Sequence, residues 1–224
     1  LMPVVIIPLL TSLVVGLAMY LLLGAPLAAI MEGLQNWLSS MSGSSAVLLG
    51  IILGLMMCFD LGGPVNKAAY LFATAGLSTG DESSMQIMAA VMASGMVAPI
   101  ALSLATFIRK SLFTPAEQEN GKSAWLLGLS FVSEGAIPFA AADPFRVIPS
   151  MMAGGAVTGA ISMALSVGSR APHGGVFVFF AIDPFWGYLV AIAAGVVVST
   201  AAVLAMKQFW PNKAVEEAAQ NVAA

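Results

Sequence analysis

Four long apolar runs constrain the fold of this chain more than any other feature of its sequence. The runs are Val4–Leu23, Met85–Ile108, Val147–Val167 and Phe185–Met206, and each is close to or above the roughly 18 residues that a spanning helix needs. The lipid core has no water to satisfy a free backbone, so a single apolar segment crosses it as an α-helix. Charged residues make up 8% of the chain, against about 25% in soluble domains. The sequence therefore predicts an all-α, polytopic membrane protein.

Two shorter apolar segments are interrupted by polar residues and predict re-entrant helices. Ala46–Phe59 covers about 20 Å of a lipid core about 30 Å thick, and the apolar pattern then breaks at Asp60–Lys67 before a short helix resumes. Trp125–Ser133 covers about 13 Å and ends close to the midplane of the membrane, and Glu134–Ala142 returns from it. A further break at Arg170–Gly175 contains proline and two glycines. We therefore predict two or three broken-helix segments within the membrane.

The segment Leu27–Met41 predicts a helix that lies along the membrane surface. Its apolar residues recur at a spacing of three and four, while Glu32 and Gln35 take the other face. Such an amphipathic helix lies in the interface, and Trp37 is a suitable anchor there. The alternative is a short helix packed beneath the protein.

The distribution of basic residues predicts the orientation in the membrane. The main soluble loop, Arg109–Lys122, contains three of them, and Lys207 and Lys213 follow the last apolar run. Loops rich in lysine and arginine stay in the cytoplasm, so we place both regions there. Residues 1–208 then form a transmembrane domain, and residues 209–224 form a polar tail.

The stretch Ser133–Arg146 is the first candidate site, because it carries two acids, an arginine and two prolines between apolar runs. Counting residues places Glu134 near the middle of the membrane, where a carboxylate costs several kcal/mol unless it is hydrogen-bonded. Sugar hydroxyls are suitable donors, and Gly135 exposes backbone next to the carboxylate. The alternative is a structural ion pair of Glu134 with Arg146 or Lys67.

The first break supplies the second group of candidate substrate-binding residues. Gly63 belongs to a Gly-Gly-Pro sequence that forces non-helical backbone and frees amides and carbonyls. Asn66 offers both donor and acceptor atoms, and Lys67 is placed to neutralise Asp60 or Glu134. This mixture suits a neutral polyol or sugar better than a small ion. The alternative is a hairpin tip held together by an Asp60–Lys67 pair.

His173 is the sole histidine of the sequence and the third candidate. It lies in the third break, where we interpret it as a proton-coupling residue, a hydrogen-bonding partner of a sugar, or a structural residue. Asp143 and Asp183 each precede a proline at the start of an apolar run, in a weak repeat offset by about forty residues. We interpret both as helix N-caps or as ligand contacts.

The composition narrows the other function classes. Cys58 is the sole cysteine, no Cys/His spacing predicts a metal site, and we expect no metal and no cofactor. The net charge of −3 argues against a nucleic-acid partner. The expected partners are a small polar substrate and the lipid bilayer.

The three breaks together resemble a known family. The sequences Asp60-Leu-Gly-Gly-Pro-Val-Asn-Lys-Ala-Ala-Tyr70, Glu134-Gly-Ala-Ile-Pro-Phe-Ala-Ala-Ala-Asp-Pro-Phe-Arg-Val-Ile-Pro149 and Ala171-Pro-His-Gly-Gly175 look like motifs of enzyme IIC. Enzyme IIC is the membrane component of the bacterial phosphoenolpyruvate-dependent sugar phosphotransferase system, and the similarity is to its fructose branch. The loop Leu112–Glu117 fits as well, and the resemblance runs from about Leu1 to Lys207.

The resemblance implies a function and a set of partners. The chain is then a membrane subunit of a sugar phosphotransferase in the bacterial cytoplasmic (inner) membrane. It imports fructose or a fructose-like sugar, which phosphorylated enzyme IIB, separate or fused, phosphorylates from a phosphocysteine that is not Cys58. Glu134 matches an acidic position that bonds sugar hydroxyls and is our catalytic candidate, and Asn66 and His173 match other motif positions. Related proteins are homodimers, and a chain that begins at Leu1 is expected to lack upstream helices of the domain.

Two other functions are compatible with the residues. An ion-coupled secondary sugar transporter would use Glu134, Asp60 or His173 to carry a proton. A membrane scaffold fragment without transport activity would need only the glycine-rich helix packing.

Overall fold

The computed structural model describes residues 6–26, 28, 29, 33, 36, 46–77 and 80–210. The predicted all-α fold is confirmed, since the regular elements are helices apart from two strands of two residues each. The helices are α1 (Ile7–Ala18), α2 (Ala46–Phe59), α3 (Pro64–Leu77), α4 (Glu82–Ile108), α5 (Pro115–Leu129), α6 (Ile137–Ala142), α7 (Pro144–Ala164) and α8 (Phe185–Phe209). The strands are β1 (Gly168–Ser169) and β2 (Ile182–Asp183), and 3-10 turns cover Lys110–Leu112, Ser133–Ala136 and Gly175–Ala181.

Three of the described helices, α4, α7 and α8, are long and apolar enough to cross a membrane. They correspond to three of the four predicted spans, so the multi-pass architecture is confirmed. The predicted surface helix Leu27–Met41 lies outside the described residues except for four isolated positions. The last fourteen residues of the predicted tail, 211–224, also lie outside them.

Helix α4 forms the centre of the bundle and is buried along most of its length. It contacts α2, α3, α5, α7 and α8. Asp81 caps its start by accepting a hydrogen bond from the Ser84 backbone N–H at 2.7 Å. Hydroxyl groups link it to its neighbours, since Ser94 Oγ donates to Gly155 O at 3.3 Å and Thr200 Oγ1 donates to Ala101 O at 3.3 Å.

Helices α2 and α7 pack closely because glycines face each other along their contact. Gly50 lies against Gly159, and Gly54 lies against Gly155, so closely that a methyl group on any of them would overlap the opposite backbone. Small residues allow membrane helices to approach in this way, where dispersion and not water exclusion holds them together. The first hairpin, α2 and α3, is thereby fixed against a spanning helix.

The first helix differs from its prediction. We predicted one helix over Val4–Leu23 that stops at Gly24–Pro26, whereas α1 continues through a π-helical turn at Met19–Leu23 and stays helical to Pro26. The predicted stop is wrong because Gly24 keeps right-handed helical angles (φ −59°, ψ −50°), and its N–H donates to Met19 O. None of the residues of α1 is buried.

The predicted soluble loop Arg109–Lys122 is largely helical. Helix α5 begins at Pro115, so the predicted loop is wrong over most of its length. The cause is a capping box, in which Thr114 Oγ1 accepts from the Glu117 N–H while the Glu117 carboxylate accepts from the Thr114 N–H at 2.8 Å. This reciprocal pair satisfies free donors at the helix start, and the polar residues after it continue the helix.

The prediction that Asp183 caps the last helix is also wrong. Asp183 belongs to β2, where it pairs with Gly168 of β1, and the peptide bond to Pro184 is cis. Helix α8 begins one residue later, at Phe185, with Pro184 at the N-cap position.

Candidate functional site

The first hairpin places a short polar tip between α2 and α3. Asp60 organises this tip, because its carboxylate accepts hydrogen bonds from the backbone N–H groups of Val65 at 2.7 Å and Asn66 at 2.9 Å. These donors belong to the first turn of α3, which would otherwise leave them unpaired. Gly62 turns the chain with φ +114°, a conformation that side chains rarely adopt.

The second hairpin presents Glu134. Helix α5 ends at Leu129, and Phe131 turns the chain with a positive φ of 64°. Ser133 then anchors the segment by donating from Oγ to Gly95 O at 2.8 Å. Gly95 is the central residue of the 27-residue helix α4, which supports the predicted position of Glu134 near mid-depth.

The tips of the two hairpins meet at an ion pair. Lys67 Nζ lies 3.0 Å from Glu134 Oε1, and the two side chains remain 49% and 44% exposed. The absence of a side chain at Gly62 makes room for the pair, since a Cβ there would lie 2.8 Å from the Glu134 carboxyl carbon. Glu134 thus forms the ion pair with Lys67, which was one of the alternatives considered for this carboxylate.

The third break reaches the same place. The His173 ring lies against Phe131, with the ring centres 4.9 Å apart, and meets the edge of Tyr70 at 6.3 Å. Gly175 approaches so closely that a Cβ would lie 2.9 Å from the Phe131 backbone nitrogen. Three segments that are far apart in the sequence therefore converge.

A small cavity of about 70 Å³ lies at this convergence. Its walls combine a carboxylate, an ammonium, an amide and an imidazole with aromatic faces, and the lining residues are Asn66, Lys67, Tyr70, Phe131, Val132, Ser133, Glu134 and His173. Ligand pockets usually measure about 300–1,000 Å³, so a ligand of that size enters only if a wall moves. Among the lining residues, Lys67 has the longest flexible side chain, and this side chain is half exposed. Its movement is therefore the simplest way to enlarge the cavity.

Four of the predicted binding residues line this cavity: Asn66, Lys67, Glu134 and His173. The Asn66 side chain is buried and donates from Nδ2 to Met57 O at 2.7 Å. Asp60, Gly63 and Gly135 do not line it. Asp60 is occupied by the cap of α3, and Gly135 packs against Leu127 and Pro99.

Sequence reasoning missed the aromatic wall, which Tyr70 and Phe131 form at a ring-centre distance of 5.9 Å. Tyr70 ended the first motif and Phe131 preceded the second, yet aromatic residues are common in apolar runs and gave no separate signal. Among the described residues, no group of three or more side chains that ligate metals comes together.

The other charges of the second hairpin form a separate buried network at one end of the bundle. Lys207 Nζ lies 2.8 Å from Glu117 Oε1 and 3.1 Å from Asp143 Oδ2, and Arg146 Nε donates to Asp143 Oδ1 at 2.9 Å. The Lys207–Asp143 contact is electrostatic, because Asp143 Oδ2 accepts no aligned hydrogen bond. Arg146 also donates to Trp210 O.

This network corrects two interpretations. Arg146 pairs with Asp143, so of the two ion-pair partners considered for Glu134, Arg146 is wrong. Asp143 precedes α7 at the N-cap position, yet its side chain makes no capping hydrogen bond because the two cations occupy it. Asp143 is also buried away from the cavity.

Comparison with known proteins identifies relatives over most of the chain. The family model "Phosphotransferase system, EIIC" matches residues 2–154. A fructose-specific EIIB'BC component of Escherichia coli is 56% identical over 209 residues, which cover 92% of this chain and 37% of that protein.

Two relatives carry names for the IIC component alone. A fructose-specific EIIC component of Haloferax volcanii is 47% identical over 98% of this chain and 57% of its own length. A fructose permease IIC component of Bacillus amyloliquefaciens is 45% identical over 90% of this chain and 65% of its own length. The chain thus spans between about a third and two thirds of the length of these relatives. No solved structure matches it.

Proposed function

Because the chain belongs to the phosphotransferase system EIIC family, we propose that it contains the sugar-binding region of a membrane component that imports fructose or a fructose-like sugar. The names of the relatives, which specify fructose, support this choice of substrate. Residues 1–208 are then the C-terminal part of the transmembrane domain, and the complete protein forms a homodimer in the bacterial cytoplasmic membrane.

The observation that carries the proposal is the convergence of three chain breaks on Glu134. Its carboxylate accepts hydrogen bonds from sugar hydroxyls, Asn66 and His173 offer further polar atoms, and Tyr70 and Phe131 provide an apolar face. A monosaccharide has the same two characters, with hydroxyls around its edge and C–H groups on its faces. Such pockets combine an apolar lining with a few placed polar groups.

The Lys67–Glu134 pair supports a site that opens for its ligand. Both side chains are about half exposed and line the cavity, so Lys67 moves aside without disturbing the packed core. Sugar hydroxyls then replace the lysine as partners of the carboxylate, and the movement of Lys67 enlarges the cavity. Hydrogen bonds to a charged group contribute about 1.5–3 kcal/mol each, which favours the exchange.

In this proposal the phosphoryl group comes from enzyme IIB, a component that the names of the EIIB'BC relatives include beside IIC. Cys58 does not carry it, because the thiol is fully buried and donates to Ser94 O at 3.5 Å. In the proposed mechanism Glu134 holds the sugar by a hydroxyl and orients it toward the donor. Arg109, Lys110 and Lys122 mark the end of the bundle that faces the cytoplasm and enzyme IIB.

The test is Glu134→Gln in the complete protein, reconstituted in vesicles with phosphorylated enzyme IIB. The matched control is Glu119→Gln, whose carboxylate is 73% exposed and pairs with Lys122 on the surface. We expect Glu134→Gln to weaken sugar binding by about 5–10-fold, because a charge-assisted hydrogen bond becomes a neutral one, a loss of about 1–1.5 kcal/mol. The control should bind and phosphorylate the sugar like the parent protein.

Three results would contradict the proposal. Parent-like sugar affinity and phosphorylation in Glu134→Gln would remove the role of this carboxylate. Uptake that continues without the phosphoryl donor and stops on addition of a protonophore would favour an ion-coupled transporter. Absence of sugar binding by the complete parent protein would favour the scaffold.

A further inference from the structure

A second, larger cavity lies at the opposite end of the bundle from the basic loop. Its volume is about 350 Å³, within the usual range of about 300–1,000 Å³ for small-molecule sites. It opens where α4 and α8 begin and α7 has ended. Its polar side chains come from Glu82, Gln86, Ser166, Arg170 and Asp183.

The β1–β2 pair gives this cavity a defined wall. Gly168 is paired with Asp183 and Ser169 with Ile182, and the Arg170 backbone N–H donates to Ala181 O at 2.9 Å. Asp183 therefore lies on β2 and Arg170 directly follows β1, and backbone hydrogen bonds hold the two segments together. This wall is therefore a backbone-paired hairpin within the connection between α7 and α8.

The charged groups around the cavity are available to a ligand. Within the described part of the chain, Glu82, Arg170 and Asp183 make no ion pair within 4.0 Å, although they line one space. Gln86 Nε2 donates to Glu82 Oε1 at the long distance of 3.4 Å. Two carboxylates and one guanidinium supply acceptors and donors together, and Phe180 adds an apolar face.

The balance of charges defines the class of ligand. Two acids and one arginine leave the cavity with one net negative charge, which repels phosphorylated sugars and other anions but not neutral polyols. The volume suits a monosaccharide. The cavity residues Glu82 and Gln86 also lie about 14–20 Å along α4 from Gly95, the level of the Glu134 segment, so the two sites are separate.

We propose that this cavity is an outer capture site for a neutral monosaccharide, which binds there before it moves to Glu134. The proposal rests on the proposed function for the direction of transport. The cavity occupies the outer face because the basic end of the bundle stays in the cytoplasm. Its charge admits the neutral substrate and rejects the phosphorylated product.

The experiment uses the complete protein in right-side-out membrane vesicles and a cysteine introduced by Gln86→Cys. Labelling with a membrane-impermeant thiol reagent reports whether the cavity is open to the outside, and Cys58 is fully buried, which limits the background within this chain. We expect fructose at millimolar concentration to slow labelling at least about fivefold. Fructose 6-phosphate, the anionic control, should not slow it.

Two further variants separate this site from the one at Glu134. Protection by fructose should persist when Glu134→Gln is added, and should be lost when Arg170→Gln is added. Arg170→Gln alone should raise the KM of uptake at least about fivefold without changing the kcat of phosphorylation by detergent-solubilised protein.

The outcomes are distinguishable. Failure of the reagent to label Gln86→Cys, or loss of protection with Glu134→Gln, would overturn the capture site. Parent-like KM in Arg170→Gln would do the same. Parent-like transport by Glu134→Gln would instead overturn the function proposed for the inner site. The protection of the Gln86→Cys thiol by fructose would still show whether the outer cavity binds the sugar.

Discussion

Replacing Lys207 by methionine removes an ammonium group that two buried carboxylates share. Lys207 is 3% exposed, and its Nζ lies 2.8 Å from Glu117 and 3.1 Å from Asp143. Methionine keeps an unbranched apolar stem that is one heavy atom shorter than lysine, although it loses the contact of the ammonium with the Phe113 ring. The change therefore isolates the loss of the charge.

The magnitude follows from the burial of the partners. Removing one member of a buried ion pair costs about 3–5 kcal/mol, since the remaining charge keeps its desolvation penalty. Glu117 retains hydrogen bonds from the Thr114 N–H at 2.8 Å and Oγ1 at 3.0 Å, and Asp143 retains Arg146. At about 2–4 °C per kcal/mol for a domain of this size, the melting temperature should fall by roughly 6–20 °C.

The assay is thermal unfolding of the complete protein in detergent, followed through the transition of the membrane domain. Lys122→Met is the matched control, because its pair with Glu119 is 66% and 73% exposed and contributes about 1 kcal/mol or less. Adding Glu117→Gln to Lys207→Met should recover part of the loss, since the two residues are coupled. Melting temperatures of the two lysine variants within about 2 °C of each other would refute the reasoning.

Two further predictions concern glycines. Gly62→Ala places a methyl group 2.8 Å from the Glu134 carboxyl carbon and should weaken sugar binding at least about tenfold in an equilibrium binding assay. Gly80→Ala, at a residue with a positive φ but with nothing within 4 Å, should leave binding unchanged. Equal effects of the two substitutions would mean that backbone strain alone is responsible. Gly54→Ala places a methyl group in the space of the Gly155 backbone and should destabilise the domain by about 1–3 kcal/mol in thermal unfolding. Gly16→Ala, whose methyl group meets no atom within 4 Å, should leave the stability unchanged. Equal stability of the two variants would contradict the close contact between α2 and α7.

The sequence predicted the helices whose length and composition are decided by the membrane. Met85–Ile108 became α4, and the bounds of Ala46–Phe59 match those of α2. It failed at the start of α5, where polar residues suggested a loop. The capping-box pattern from Thr114 to Glu117 was present in the sequence and predicts a helix start, so that error came from weighing polarity above local capping.

The candidate site was predictable in its position but not in its pairings. Glycine and proline marked the three breaks, because they interrupt helices wherever they occur. The choice of Lys67 as the partner of Glu134, and of Asp143 as the partner of Arg146, depends on how the hairpins pack. Periodicity carries no information on contacts between segments 67 residues apart.

The burial of α4 on its sides has a consequence for how this helix is oriented about its own axis. The contrast between an apolar and a polar face holds an amphipathic helix at one rotation about its axis. Helix α4 lacks this contrast, because its buried residues lie on all of its faces. Its rotation is set by close contacts, as at Gly95 against Phe131, together with hydrogen bonds such as Ser94 Oγ to Gly155 O and Ser133 Oγ to Gly95 O. Bonds of this kind contribute about 0.6 kcal/mol each. The hydrogen bond from Ser133 also anchors the segment of Glu134 to α4. A rotation of α4 about its axis would therefore move the candidate carboxylate with it.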